Sequence, residues 1–331
     1  MILPIRNEAR HIQPCLDAVL TQDYPADRFD VLVVDGMSDD GTRELVSRYV
    51  RRYPNVQLLD NPKCIVPTAL NIGIRAARGD IIVRVDGHTT IAPDYVRQCV
   101  SALERTGADN AGGRMDAESP GFLGAAVAQA TGSPFGVGNA RFHYSRQEEW
   151  VDTVYMGAYR RDVFDRIGLI DEEMVRDQDD EFNYRLRAQV GRILLCPQIR
   201  SRYTNRSDLR KLWRQYFEYG YWKVRVLQKH PRQMRWRQFV PPLFVSALLS
   251  ALGLSAFEVV WPLALIAGSY LAGNLIASLS IAVRSGAQYL MILPVVFAIL
   301  HVAYGTGFVS GSIRFANRWN DSESRHVADT G

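Results

Sequence analysis

Phe29-Asp-Val-Leu-Val-Val-Asp35 runs directly into Gly36-Met-Ser-Asp-Asp-Gly-Thr42, and the reading of this stretch decides the fold. An apolar, β-branched run that ends in an acid and a Gly/Ser/Asp turn, with a helix from Arg43, is a strand–loop–helix corner. In an open α/β sheet, ligands bind in the crevice outside such strand ends. A carboxylate there can accept a hydrogen bond, and the glycines let backbone come close to a ligand. Taken alone, the same residues also describe an ordinary turn with helix-capping Asp and Ser.

Working outward, Asp80-Ile-Ile-Val-Arg-Val85 delivers Asp86-Gly87-His88 to a second corner of the same kind. Helices are predicted over Ile12–Thr21, Arg43–Tyr53, Pro67–Ala77 and Pro93–Arg105, three of them with Pro near the first turn, where its missing N–H does no harm. Strands are predicted over Phe29–Asp35, Val56–Leu59 and Asp80–Asp86. This alternation implies an α/β fold, Rossmann-like, with a mostly parallel sheet covered by helices. Gly112 to Ser145 reads as irregular, Gly-rich loops over the site. A helix from about Gln178, a strand over Arg192–Cys196 and a long helix over Ser207–His230 follow.

The net charge of +4 is too small to suggest nucleic acid, but the charge is unevenly placed. From Arg200 to Arg237 twelve Lys or Arg stand against two acids, with Trp and Tyr interleaved, among them Trp213, Tyr219 and Trp236. This basic, aromatic segment runs straight into uncharged sequence, which points to a cytoplasmic membrane surface with anionic lipid. Gln238–Phe257, Val259–Val283 and Ser285–Ile313 are uncharged and broken only by Glu258 and Arg284. About 20 residues span the hydrocarbon, so each stretch is long enough. Three spans would leave Arg314 and Arg318 outside; a re-entrant or surface first stretch would return the tail to the cytoplasm. Cys15, Cys64, Cys99 and Cys196 are scattered without metal spacing and read as inert thiols in a reducing cytosol. Met1-Ile-Leu-Pro4 supplies only the end of a first strand, so several residues upstream of Met1 are expected, which mass analysis of the native protein tests.

With Pro4-Ile-Arg-Asn7-Glu8 at the opening, Asp35-Gly-Met-Ser-Asp-Asp-Gly-Thr42 and Asp86-Gly-His88, the chain resembles the family 2 glycosyltransferases of the GT-A fold. The matching motifs there are P-x-x-N-E, D-x-S-x-D-G-T and a D-x-D-like metal site. Asn71-Ile-Gly-Ile-Arg75, Ser133-Pro-Phe-Gly-Val-Gly138, Asp177 to Arg185 and Gln215 to Lys223 extend the resemblance, in order, to the bacterial succinoglycan and exopolysaccharide glucosyltransferase subgroup. The organisation it implies is a GT-A nucleotide-sugar-binding and catalytic domain over 1–200, a basic amphipathic interface helix over 201–237, a transmembrane region over 238–313 and a polar tail over 314–331.

Sugar transfer from a nucleotide diphosphate requires that the nucleoside be held, the leaving diphosphate neutralised and the acceptor hydroxyl deprotonated. The resemblance assigns Asp35 to uracil or ribose, with Pro4, Asn7 and Glu8 at the neighbouring strand end and Asp39 along the turn; Glu8 and Asp39 also fit helix caps. It assigns Asp86 to a divalent cation, Mn²⁺ or Mg²⁺, with His88 standing where most members carry a second Asp. An imidazole suits Mn²⁺ better than Mg²⁺, although His88 could also simply bond backbone. Within Asp177-Gln-Asp-Asp-Glu181, Asp179 aligns with the general base, supported by Asp180 and Glu181; a capping cluster led by Asp177 fits the same residues. One carboxylate base and no separate nucleophile imply a single displacement with inversion.

Gln215 to Lys223 occupies the place of Q-x-x-R-W in processive synthases, but here Trp222 comes seven residues after Gln215 and no Arg precedes it. Gln215, Trp222 and Lys223 are candidates for acceptor contact or for the membrane interface, and the departure points to one sugar per encounter. Arg84 stands out only as a residue that packs or pairs beside Asp86. The expected enzyme is an inner-membrane, multi-pass, cytoplasm-facing transferase. It moves a hexose, glucose the expected one, from a UDP-sugar to a polyprenyl-diphosphate-linked glycan, with polysaccharide-assembly proteins as neighbours and no nucleic-acid partner. Two rivals stand beside it: a polyprenyl-phosphate sugar synthase, using Arg200, Arg202 and Arg206 for the lipid phosphate, and a non-catalytic nucleotide-sugar-binding membrane subunit.

Overall fold

A computed structural model describes residues 1–118, 121–138, 141–204 and 208–322. The chain divides into two units, Met1–Glu118 with Ala140–Thr204, and Ser119–Asn139 with Asn205–Gly331.

The first unit is built on parallel strands β1 (Ile2–Ile5), β2 (Val31–Asp35) and β3 (Val56–Asp60), with helices α1 (Ile12–Leu20), α2 (Thr42–Arg52) and α3 (Val66–Ala76) in the crossovers or following them. Every residue of β2 is buried, as expected for a strand covered on both faces. Alternate side chains feed two cores: Leu3, Ile5, Val31 and Val33 meet Ile12, Leu16 and Val46, while Ile2, Leu32 and Val34 meet Leu70 and Ile74 on the other side. Each such burial contributes about 2 kcal/mol.

The sheet continues from β1 to β4 (Ile81–Val83) through the Ile2–Arg84 bridge and the Val85 N–H on the Ile2 carbonyl, 3.0 Å. It extends through β8 (Tyr155–Arg160), β6 (Asn110–Glu118) and β9 (Ile193–Thr204) to β5 (Thr89–Ile91), with β7 (Glu149–Trp150) on β9. Here only β6 and β9 run parallel; the other pairs are antiparallel. Helices α4 (Tyr95–Thr106), α7 (Asp162–Ile167) and α8 (Gln178–Ala188) complete the unit. Cys15, Cys99 and Cys196 are buried free thiols, and burial pushes Cys15 up to about 12.

The segment expected as loops over Gly112 to Ser145 is more ordered than its glycines suggest. It forms β6, then α5 (Gly121–Thr131) and α6 (Pro134–Val137), and these two helices belong to the second unit. The reason is packing: Val127 and Ala130 of α5 lie in one apolar cluster with Leu293, Val296, Phe297 and Leu300. Those residues are on α12 (Leu293–Arg314), which follows α9 (Leu209–Lys229), α10 (Val240–Ser255) and α11 (Trp261–Ser285). Three helices, over Trp236–Ser255, Trp261–Ser285 and Leu293–Arg314, are long and apolar enough to cross a membrane. His301 bonds the Tyr270 hydroxyl at 3.0 Å and the Phe135 carbonyl at 2.8 Å, a link among α11, α12 and α6.

Candidate active site

The loops after β1 and β2 are stitched together by side chain to backbone bonds. The Asn7 N–H donates to Ser38 Oγ (2.8 Å), the Glu8 N–H to Thr42 Oγ1 (2.9 Å), and the Ala9 N–H to Asp40 Oδ2 (3.1 Å). In return the Asp39 N–H donates to Asn7 Oδ1 at 3.1 Å. Gly41, at φ 94°, makes the left-handed step into α2 that a side chain would resist. Asp40, rather than Asp39, bonds the Thr42 N–H at the start of that helix. Glu8 does not cap α1 either; its carboxylate meets His88 Nδ1 at 3.0 Å.

Asp35 is fully buried. Its carboxylate accepts from the Ser38 N–H (3.0 Å), the Ser38 hydroxyl (2.5 Å) and Arg43 (2.6 Å), and Arg43 also grips Asp60 at 2.7 Å. Asp35 therefore fastens the turn that follows it, and its carboxylate faces this network rather than open solvent. Pro4 is buried in β1, whereas Asn7 and Asp39 are exposed in the loops after β1 and β2. Arg43 was not legible as part of the site. Arg43→Met should leave Asp35 buried against an apolar chain and loosen the turn, lowering stability by about 2 kcal/mol in a denaturant titration.

At the next strand end, Arg84 and Asp86 project to the same face because they are two apart in extended chain. Arg84 Nε donates to Asp86 Oδ1 at 2.8 Å, and its NH1 donates to Asp179 across the cleft. Tyr155 bonds both the Asp86 carboxylate and Thr89, the latter at 2.8 Å. Burial alone would raise the Asp86 pKa, but Arg84 and His88 outweigh it and hold the group below the usual carboxylate range. Asp179 goes the other way. Desolvation by the surrounding protein raises it most, Asp86 and Asp180 add to this, and Arg84 opposes incompletely. Its side chain is 40% exposed, against 15% for Asp86 and 13% for Arg84. Of the cluster, Asp179 is thus the carboxylate most open to solvent.

Helix α8 holds Asp179 there. Asn183, buried, donates to Thr153 Oγ1 (2.8 Å) and accepts from Asn110 (3.3 Å) and Tyr159 (3.4 Å), pinning the helix to the sheet. Glu181 faces inward to Arg185 at 2.8 and 3.0 Å, and Arg185 in turn donates to the carbonyls of Ile167 and Leu169. Glu181 therefore supports the helix rather than the cleft. Asp177 precedes α8 at φ 58° and its carboxylate makes no capping bond, so the capping reading does not describe it.

Asn7, Met37, Cys64, Met156 and Asp177 all adopt left-handed φ, between 47° and 58°. Non-glycine residues rarely do so, and three of them, Asn7, Met37 and Cys64, lie in the loops leaving β1, β2 and β3.

Among the described residues no three His, Cys, Asp or Glu side chains form a ready cation cage. Asp86, kept ionised, and His88, oriented by Glu8 through Nδ1, still provide a carboxylate and an imidazole of the right chemistry for a divalent ion whose remaining ligands come from phosphate and water.

Gln215, Trp222 and Lys223 lie on α9 in the helical unit, not in this strand-end cluster. Gln215 donates to the Tyr219 hydroxyl at 2.8 Å, Trp222 packs on Phe315 at 5.8 Å between ring centroids, and Lys223 is buried. Arg200 is an exposed residue 4.0 Å from Asp94, and Arg206 lies outside the described residues.

Residues 1–168 match the family model described as glycosyl transferase family 2. Over 324 residues the chain is 28% identical to the succinoglycan biosynthesis protein ExoA of Rhizobium meliloti, covering 96% of each chain. It is 25% identical, over 95% of its length and 97% of the relative's, to a dolichyl N-acetyl-α-D-glucosaminyl phosphate 3-β-D-2,3-diacetamido-2,3-dideoxy-β-D-glucuronosyltransferase of Methanococcus voltae. Among solved structures, the mannosyltransferase PcManGT of Pyrobaculum calidifontis, in complex with GDP-Man and Mn²⁺, superposes with a TM-score of 0.60 at 20% identity, over 94% of this chain and 85% of that one. The sheet order and this likeness give the GT-A fold.

Proposed function

The chain belongs to glycosyl transferase family 2, and from that premise we propose that it moves a hexose, glucose first among the candidates, from UDP-sugar to a polyprenyl-diphosphate-linked glycan. The single observation that supports this reading is the Asp86–Arg84–Asp179 cluster at the strand ends, in which one carboxylate is held ionised and the other is raised and accessible.

In the reaction, Asp179 takes the proton of the acceptor hydroxyl as its oxygen bonds the anomeric carbon. The bond from that carbon to the β-phosphate oxygen breaks from the opposite face, and UDP leaves with the electron pair. One displacement inverts the anomeric configuration. Asp86 and His88 would hold a divalent cation, which when bound supplies positive charge to the departing diphosphate. The turn fastened by Asp35, together with Asn7, Glu8 and Asp39, would seat the nucleoside. Arg84 positions Asp179 and balances its charge before substrates arrive.

The relatives support the acceptor class: one takes part in succinoglycan biosynthesis, and another is named for a dolichyl phosphate-linked sugar. The three long apolar helices suit a lipid-bound acceptor, with the catalytic face toward the cytoplasm of an inner membrane and the neighbouring assembly proteins of such a pathway as partners.

The test is transfer of radiolabelled sugar by purified protein from a panel of UDP-sugars to membrane lipid extract, with polyprenyl phosphate alone as a separate arm. Label is expected in the organic phase only with the extract. Chelation by EDTA should stop transfer and Mn²⁺ should restore it. Label on polyprenyl phosphate alone would replace this reading with a lipid-phosphate sugar synthase. Binding of UDP without any transfer would replace it with a regulatory subunit.

A further inference from the structure

Composition counts three possible membrane crossings, and an odd number would put the start of α10 and the end of α12 on opposite faces. The packing inside the helical unit brings those two ends together. Phe239, just before α10, meets the ring of Phe308 at 6.0 Å between centroids, and Gly305 is so close to α10 that a Cβ there would lie 2.6 Å from the Pro241 carbonyl oxygen. From Phe308 to the last residue of the helix, Arg314, is about 9 Å at the helical rise. The hydrocarbon core is about 30 Å thick, so the two ends cannot stand on its opposite sides.

A second observation agrees. Helix α9 lies along α12 for most of its length. Leu212 shares a cluster with Leu293 and Leu300, Gly220 abuts Tyr304, and Gln228 Nε2 donates to the Phe315 carbonyl at 2.8 Å. A transmembrane α12 would carry with it the Arg214–Glu218 pair, whose Arg214 side chain is 82% exposed, and the buried Lys223 and Arg225. Charges in that position are expensive. Exposed large apolar side chains concentrate instead on α10 and α11, from Leu243, Leu249 and Leu252 through Phe257 and Trp261 to Leu275, Leu279 and Val283; α12 exposes only Val295 and Ile313 among its large apolar residues.

We infer that α10 and α11 enter the lipid hydrocarbon as a hairpin and return, while α12 is the packed axis of the helical unit and not a third crossing. Both ends of the region then lie on the side of α9. Arg314 and Arg318 come to rest with the basic segment before α10, as the positive-inside rule favours. The inference rests on the membrane reading proposed above but not on which face is cytoplasmic.

The experiment uses the full-length chain with one epitope tag at Met1 and a different one after Gly331, in membrane vesicles prepared right-side-out and inverted, treated with protease. No candidate span precedes Trp236 among the described residues, so the first tag reports the side of α9. Loss of both tags in the same preparation is expected. Loss of one tag in each preparation would overturn the hairpin in favour of three crossings. Release of the protein by alkaline carbonate would overturn it by removing the bilayer itself. Joint loss in the right-side-out vesicles would keep the hairpin and refute the cytoplasmic orientation, so the two readings fail separately.

Discussion

Asp179→Asn should cut sugar transfer roughly 10³-fold while UDP binding stays within a factor of two or so. Asparagine keeps the size and can still approach Arg84, but it cannot accept the acceptor's proton. If Asp179 is the base, the same residue should set the acid side of the pH profile. As the proposed base, Asp179 would work only when ionised, and its pKa is raised by desolvation and by Asp86 and Asp180. Transfer should therefore decline as pH falls through a value above the ordinary carboxylate range, instead of persisting to pH 4. Measuring kcat against pH for the parent protein and single-turnover rates for the variant tests both statements. An Asp179→Asn protein with near-parental turnover would transfer the base role to another group, and a profile flat to pH 4 would deny that the acid limb belongs to this carboxylate.

The second large effect lies in the helical unit. A Cβ on Gly307 would sit 2.1 Å from the Phe217 carbonyl oxygen, and one on Gly220 only 1.9 Å from that of Tyr304. Both obstacles are backbone, so no rotamer change relieves them. Gly307→Ala should destabilise the helical unit by about 3 kcal/mol, because α9 and α12 must separate along their whole contact. Gly268, on α11, has nothing within 4 Å of such a Cβ, and Gly268→Ala should raise stability by about 0.5–1 kcal/mol. Thermal unfolding of both variants in detergent decides the matter. Equal melting of the two would show that the close crossing of α9 on α12 does not hold the unit together.

Much of the first unit was legible because its signals are local. Phe29 to Asp35, Asp80 to Asp86 and the helices after them announce themselves by apolar runs and by Pro or Gly at their ends, and the observed elements differ by a residue or two at most places. β4 is the exception, since regular pairing stops at Val83 and leaves Arg84 as a lone bridge to Ile2. The later strands gave weaker signals. β9 contains Pro197, Arg200 and Arg202, and β6 opens Asn110-Ala-Gly-Gly-Arg114, so neither shows clean alternation. Helix α5, Gly121 to Thr131, is small and apolar all round, and residues far along the chain, on α12 and α9, give it a face to bury.

The acids of the site could be read because strand ends and helix starts are places where carboxylates recur. Their partners could not. That Glu8 turns to His88 and that Arg84 reaches Asp179 are pairings across loops distant in sequence, decided by the sheet order, while Arg43 is held over Asp35 by its second partner, Asp60 on the neighbouring strand. The spacing of Arg84 and Asp86 was the one available hint, since residues two apart on a strand share a face.

The left-handed residues around the cleft bear on how such a protein could be made hardier. Each holds the backbone at a cost on the order of 1 kcal/mol that glycine would not incur, although glycine would enlarge the unfolded ensemble. Met37 sits in the very turn that Asp35 fastens, and Asp177 aims the helix that carries Asp179. If these turns seat the nucleotide as proposed, heat tolerance and donor binding compete for the same few positions. A breeder of robust variants would do better to begin in the helical unit, at open sites such as Gly253 and Gly268, where nothing crowds an added methyl group.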